Sequence, residues 1–284
     1  MRFPDTSRTG ITRVLTGLLA TALACPSAAA VDLKPKSVET FDRYVRLTEA
    51  RVSSEVSNAE AFLWPDAVPE PRRSQLFAQL KRGEVAIESL KTLEGGEPIE
   101  DGDSLIHHWV GVVFISGAKL GETLELIQDY DHHAAYFAPD VARSRILAHS
   151  GNDFRTAVRF MKKKVFTVVL DTEHDIQYAP QDSARVSMRA VATRIAEVEN
   201  PGKPGERELP PGHDGGYMWR LNTYWRFQER DGGVYVQCES ITLTRDIPAG
   251  LGWLIGPYVK SVPRESLQFT LGTLRRILLE RAAR

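Results

Sequence analysis

Residues 217–245 read YMWRLNTYWRFQERDGGVYVQCESITLTR, and their alternation decides the fold. Two β-rich runs, Tyr217 to Glu229 and Val234 to Arg245, flank Arg230-Asp231-Gly232-Gly233, a tight hairpin turn. Pairing Arg230 with Gly233 sets Trp225 opposite Cys238 and Phe227 opposite Val236. Successive strand residues point to opposite faces. Trp219, Leu221, Thr223, Trp225 and Phe227 therefore share an inner, aromatic face with Val236, Cys238, Ser240 and Thr242. The alternate set, Arg220, Asn222, Tyr224, Arg226 and Gln228, is assigned to solvent.

Working upstream, further strands are expected over 143–149, 154–162, 165–178 and 185–198. Alternation turns Phe166, Val168, Leu170, Thr172 and His174 inward, and likewise Ala184, Val186, Met188, Ala190 and Ala192. Trp109 to Ile115 is an earlier strand, and Leu120 to about Ala138 has a helical pattern ended by Pro139. Asn200 to Gly216 is rich in Pro and Gly and reads as a long loop. Downstream, Leu251 to Tyr258 is broken at Gly256-Pro257, and a terminal helix starts near Pro263. Its apolar stripe is Leu267, Leu271, Leu274 and Leu278. The fold class is α+β: a curved antiparallel sheet wrapped around a long C-terminal helix. Inward alanines opposite aromatics leave space in such a core, unless Trp225 and Phe227 fill it.

The N-terminus has a different character. Arg2, Arg8 and Arg13 precede the apolar run Val14 to Ala24, and Ala28-Ala29-Ala30 offers a cleavage site after Ala30. This pattern predicts a signal peptide over 1–30 and a periplasmic or secreted protein. Removing three Arg and one Asp from 36 basic and 37 acidic side chains leaves 33 and 36, so no basic excess points to nucleic acid. Cys238 is then the one remaining cysteine, which excludes an intrachain disulfide. Residues 31–36 read as an exposed tether and 31–102 as a helical extension. Phe41, Val45, Thr48 and Val52 form one helical stripe; Leu76, Leu80, Ile87 and Leu90 form a second.

Three segments resemble the START-like superfamily, also called SRPBCC or the Bet v 1-like helix-grip fold. They are Gln128-Asp129-Tyr130-Asp131-His132-His133 leading through Tyr136 and Pro139-Asp140-Val141 to Ser144 and Leu147; Gly232 to Ser240; and Ile247-Pro248 to Leu254. The resemblance covers about 103–284, the expected START-like domain. It implies a cavity between sheet and terminal helix that takes sterols, lipids, polyketides, plant hormones or quinones, with catalysis in a minority of members.

The residues expected to line that cavity are Phe166, Val168, Leu170, Thr172, His174, Met188, Ala190, Thr223, Trp225, Phe227, Val236, Cys238, Ser240, Leu267 and Leu271. The leading expectation is an exported carrier of a hydrophobic or lipid-like small molecule, with His174, Ser240, Thr223 and Thr172 orienting it. One rival is a cavity enzyme of cyclase, aromatase or hydrolase type, with His174 as its candidate base. Another is an interaction protein whose cavity is filled by its own side chains. No cofactor or metal is expected. His107-His108 and His132-His133 are tempting ligands, but neighbours on a strand point apart, and no H-E-x-x-H motif supports them. Arg155, Arg159 and Lys163 form a basic stripe that admits peripheral membrane contact. Trp253, Leu254, Ile255 and Tyr258 could gate the cavity mouth or touch a membrane, and ordinary packing of the helix entry accounts for them equally well.

Overall fold

The computed structural model describes residues 30–163, 167–246 and 252–282, with side chains throughout these ranges except over 252–260. Residues 1–29, where the signal peptide is expected, Phe166, and the side chains of Trp253, Leu254, Ile255 and Tyr258 lie outside the described set. The elements run β1 (Val31–Asp32), α1 (Pro35–Ser57), α2 (Arg72–Lys81), β2 (Ala86–Ser89), β3 (Leu93–Glu94), β4 (Glu97–Pro98) and β5 (Ser104–Ser116). Then follow α3 (Leu120–Gln128), α4 (His133–Tyr136), β6 (Val141–Ser150), β7 (Asp153–Lys163), β8 (Thr167–Pro180) and β9 (Arg185–Glu199). The chain closes with β10 (Arg207–Glu208), β11 (His213–Asp214), β12 (Arg220–Arg230), β13 (Gly233–Arg245) and α5 (Gly252–Ala282).

Among the described residues, nine strands form one antiparallel sheet in the order β2-β5-β13-β12-β9-β8-β7-β6, with β10 alongside β9. The last long strand pairs with the first, and α3 and α4 carry the chain from β5 to the opposite edge. This is the expected helix-grip arrangement. The hairpin register is as read from the sequence: Arg230 pairs with Gly233, Trp225 with Cys238 and Phe227 with Val236. Asp231 and Gly232 hold φ of 57° and 75°, the left-handed pair that a two-residue type I′ turn needs.

Helix α5 packs on the inner face, chiefly over β5, β2 and β13. Gly111 makes the seat: a Cβ there would stand 2.8 Å from Leu271 Cδ1. Leu271, Leu274 and Leu278 are fully buried in the main core cluster. Each contributes roughly 1.5–3 kcal/mol on burial. The exposed Arg276–Glu280 pair on the other side of the helix contributes about 0.3–0.5 kcal/mol. The apolar stripe therefore fixes the helix. The helix begins at Gly252 and passes through Pro263, where a start was expected. The second N-terminal helical stripe also divides: α2 stops at Lys81, and Gly83 turns with φ 80°. Ile87 then pairs with Gly111 as part of edge strand β2. Val31 and Asp32, expected in a tether, pair with Asp214 and His213.

The outer face is the larger correction. Asn222, Tyr224, Arg226 and Gln228 are buried, because α1 and the turns after it cover the sheet there. Phe41, Tyr44 and Val45 of α1 pack on Tyr224, Ile241 and Leu243, and Phe62, Leu63, Leu76 and Leu80 pack on Val112, Phe114 and Tyr235. Trp219 joins this outer cluster: it precedes β12, and its Nε1 donates to Asp214 at 2.9 Å. Arg226, 0% exposed, donates to Glu55 at 2.6 Å and to the Phe62 carbonyl at 2.8 Å. Glu239, 1% exposed, accepts from His108 at 2.7 Å and from Arg51. His108 Nδ1 in turn meets the Tyr44 hydroxyl at 2.9 Å. Burial pushes the Glu239 carboxyl upward, but the His108 hydrogen bond and the Arg51 and Arg226 charges prevail and hold it below the usual range. Two cations and two carboxylates thus neutralise one another under α1. Removing one partner leaves an uncompensated buried charge. Arg226→Ala should lower the unfolding free energy by about 3–5 kcal/mol in urea titration; a loss under about 1 kcal/mol would show that the network does not hold α1 to the sheet.

Candidate ligand-binding site

Register sorts the inner face into rows across the strands. Val113, Val236, Phe227 and Val186 make the first row, all buried in the core cluster. Gly111, Cys238, Trp225 and Met188 make the second. Trp109, Ser240, Thr223 and Ala190 make the third, continued by Ile176 and Phe154. In the next, His107 pairs with Thr242 on one side, while His174 stands between Ala192 and Thr156 on the other. Packing is complete at the first row. Further along, Trp225, Trp109, Ser240, Thr223, Ala192 and Thr242 are only half-buried, although they lie on the face that carries α5. The helix sits chiefly over β5, β2 and β13, so this strip of β12 and β9 is incompletely covered on its flank. Trp225 and Phe227 stack at 6.1 Å and 9° along the inner side of β12.

The expected lining residues fall as follows. Leu170, Thr172, His174, Met188, Ala190, Phe227, Val236, Cys238, Leu267 and Leu271 are buried. Val168, Thr223, Trp225 and Ser240 are half-buried. Cys238 lies beneath the α5 seat, and burial pushes its thiol well above the ordinary range, so it serves as a packing residue. Two surface hollows lie elsewhere: one of about 360 Å³ among Glu60, Asp66, Arg73, Phe77, Arg230 and Asp231, the other of about 270 Å³ beside Tyr136 and Arg281.

His174 is 7% exposed, and its Nε2 lies 2.8 Å from the Thr172 hydroxyl. The Phe160 ring stands edge-on at 6.1 Å. Burial pushes its pKa down to about 4, which keeps the ring neutral at physiological pH. Among the described residues no second ionisable group hydrogen-bonds to it. The histidine pairs separate: His107 turns to Thr244 at 3.1 Å, while His108 enters the outer network. His132 meets Asp129 at 2.6 Å, and His133 meets the Ile127 carbonyl at 2.9 Å. Among the described residues no cluster of three His, Cys, Asp or Glu could hold a metal. Of the basic stripe, Arg155 pairs with Asp175 at 3.2 Å, and Arg159 with Asp171 and Glu206.

Two inner residues escaped the sequence reading. Thr156 shares the inward side of β7 with Phe154 and Val158, and strand alternation there would have found it. Glu197 was hidden by a register shift near His174, which changes the phase of β9 and sets Glu197 opposite Leu170. It accepts from the Gly215 N–H at 2.9 Å, and burial pushes it up to about 7, with the Asp214 charge adding to the rise. Glu197 and His174 are separated by four residues along β8, about 13 Å. They are not partners.

Searches against protein-family models and curated proteins found no match. Among solved structures, the chain is similar to a STAR-related lipid transfer protein from Xanthomonas axonopodis, with 18% identity, 68% of this chain and 98% of that chain covered, and a TM-score of 0.44. It is similar to human STARD10 at 10% identity, with 80% and 86% covered and a TM-score of 0.43. It is also similar to the Zhui aromatase/cyclase from Streptomyces sp. R1128 at 14% identity, with 63% and 97% covered and a TM-score of 0.41. The architecture itself rests on strand order and register.

The neutral histidines set a pH dependence. His174 and His133 are both pushed down to about 4, so between about pH 6.5 and 4 the unfolded chain binds protons that the folded chain refuses. Stability falls on acidification in that window. Glu197, raised to about 7, acts in the opposite sense between about pH 7 and 4.5. His174→Gln keeps a donor toward Thr172 but does not titrate. Urea unfolding at pH 7 and pH 5 should show a smaller acid loss in this variant, by about 2 kcal/mol; an unchanged loss would place His174 in water.

Proposed function

We propose that this protein binds and carries a hydrophobic, lipid-like small molecule between the inner sheet face and α5. One observation carries the reading: over β5, β12 and β13 the sheet is covered more completely on its outer face than on the face that holds its terminal helix. On the outer face even Arg226 and Glu239 are buried. On the inner face Trp109, Trp225 and Thr223 stay half-buried. An antiparallel sheet with one wet face ordinarily exposes its polar side. Here the accessible side chains are aromatic and small, which suits an apolar guest. Each buried methylene of such a guest contributes about 0.8 kcal/mol. Export to the periplasm or medium belongs to the same proposal and rests on the leader pattern of Arg2 to Ala30.

A bulky side chain in this strip should compete with the guest. Ala192→Trp should leave the far-UV circular dichroism unchanged and weaken the uptake of Nile red, a neutral apolar dye, by about tenfold or more, on the scale of the few methylenes displaced. Equal uptake by both proteins would remove the strip as the binding place.

A further inference from the structure

Thr156 is 1% exposed, and its hydroxyl has no hydrogen-bond partner. An unpaired buried hydroxyl is destabilising, and such an atom asks for a partner the folded chain does not supply. It stands directly across the β7–β8 ladder from His174. The tautomer of His174 follows from its neighbour. The Thr172 hydroxyl donates to the Val158 carbonyl at 2.9 Å, which commits its hydrogen. Thr172 can therefore only accept from His174, so Nε2 carries the proton and Nδ1 is left as a bare acceptor. One unused donor and one unused acceptor thus stand side by side where the half-buried stretch of the inner face begins. The inward residues of this stretch, from Thr156 and His174 across Ala192 and Thr223 to Ser240 and Trp109, carry no formal charge.

Resting on the carrier reading above, we propose that Thr156 and His174 bind the hydroxyl group of an uncharged, otherwise apolar ligand: an alcohol of the long-chain or polycyclic type. The ligand oxygen accepts from Thr156, and its hydrogen is donated to His174 Nδ1. A ketone satisfies only Thr156. A carboxylate brings no hydrogen for Nδ1 and places an unmatched charge in an uncharged pocket.

The test is displacement of Nile red from the mature chain at pH 8 by four probes of equal length: dodecane, 1-dodecanol, 2-dodecanone and dodecanoate. Dodecanol should displace at about tenfold lower concentration than dodecane and dodecanoate, with the ketone between them, as one net pair of hydrogen bonds allows. Thr156→Val should bring dodecanol to within about twofold of dodecane and raise the urea midpoint of the empty protein, because the unpaired hydroxyl is gone. Thr156→Ser, which keeps the hydroxyl, should keep the selectivity. Equal displacement by all four probes, preference for dodecanoate, or selectivity that survives in Thr156→Val overturns the alcohol proposal and leaves the carrier reading standing. Failure of the protein to take up Nile red or any probe overturns both.

Discussion

The Arg226 guanidinium is the constraint around which the rest is arranged. It is planted on the outer face of β12 with no access to water, and so is Glu239 beside it on β13. Neither charge could stay in a dry sheet face without partners. Arg51 and Glu55 supply them from α1, and the Phe62 carbonyl supplies one more acceptor. The first helix is thereby tied to the two central strands. The Trp64 N–H, donating to Gln237 at 2.6 Å, extends the tie to the following turn.

With the outer face closed over β5, β12 and β13, the inner face there is free to be incompletely filled. Gly111 lets α5 sit low over β5, and the leucine stripe holds it there. On the other half of the sheet the α3–α4 segment packs through Leu126, Ile127, Tyr130 and Phe137, which leaves the strip of Trp225, Thr223 and Ala192 between the two less covered. Stability comes from the closed side and from the first rows of the core, where Val113, Phe227 and Val236 are fully buried. The half-buried rows contribute less to stability, which is a common division between scaffold and binding surface.

Much of this was legible in the chain. The hairpin at Asp231-Gly232 fixed its own register, and period-two patterns located β6 to β9. The outer burial was not legible, because alternation separates two faces without saying which is covered. Arg226 and Gln228 look like surface residues; α1 supplies Glu55 to Arg226, and the segments that cover this face bury both. A hint was present in β13, where Tyr235, Ile241 and Leu243 make the outer side apolar as well; strands apolar on both sides are buried on both sides. Ile87 fitted a helical stripe because a short apolar spacing serves either period, and Gly83 decided it. Glu197 was out of reach for a different reason: one irregular pairing changes the phase of the residues beyond it.

The position of Cys238 has one more consequence. Its sulfur lies under the joint between α5 and Gly111, sealed from solvent and held as a thiol rather than a thiolate. It can meet an oxidant or an electrophile only while that joint is broken. The molecule thus carries its own clock for the lifting of its terminal helix, silent in the closed protein and running only in the open one.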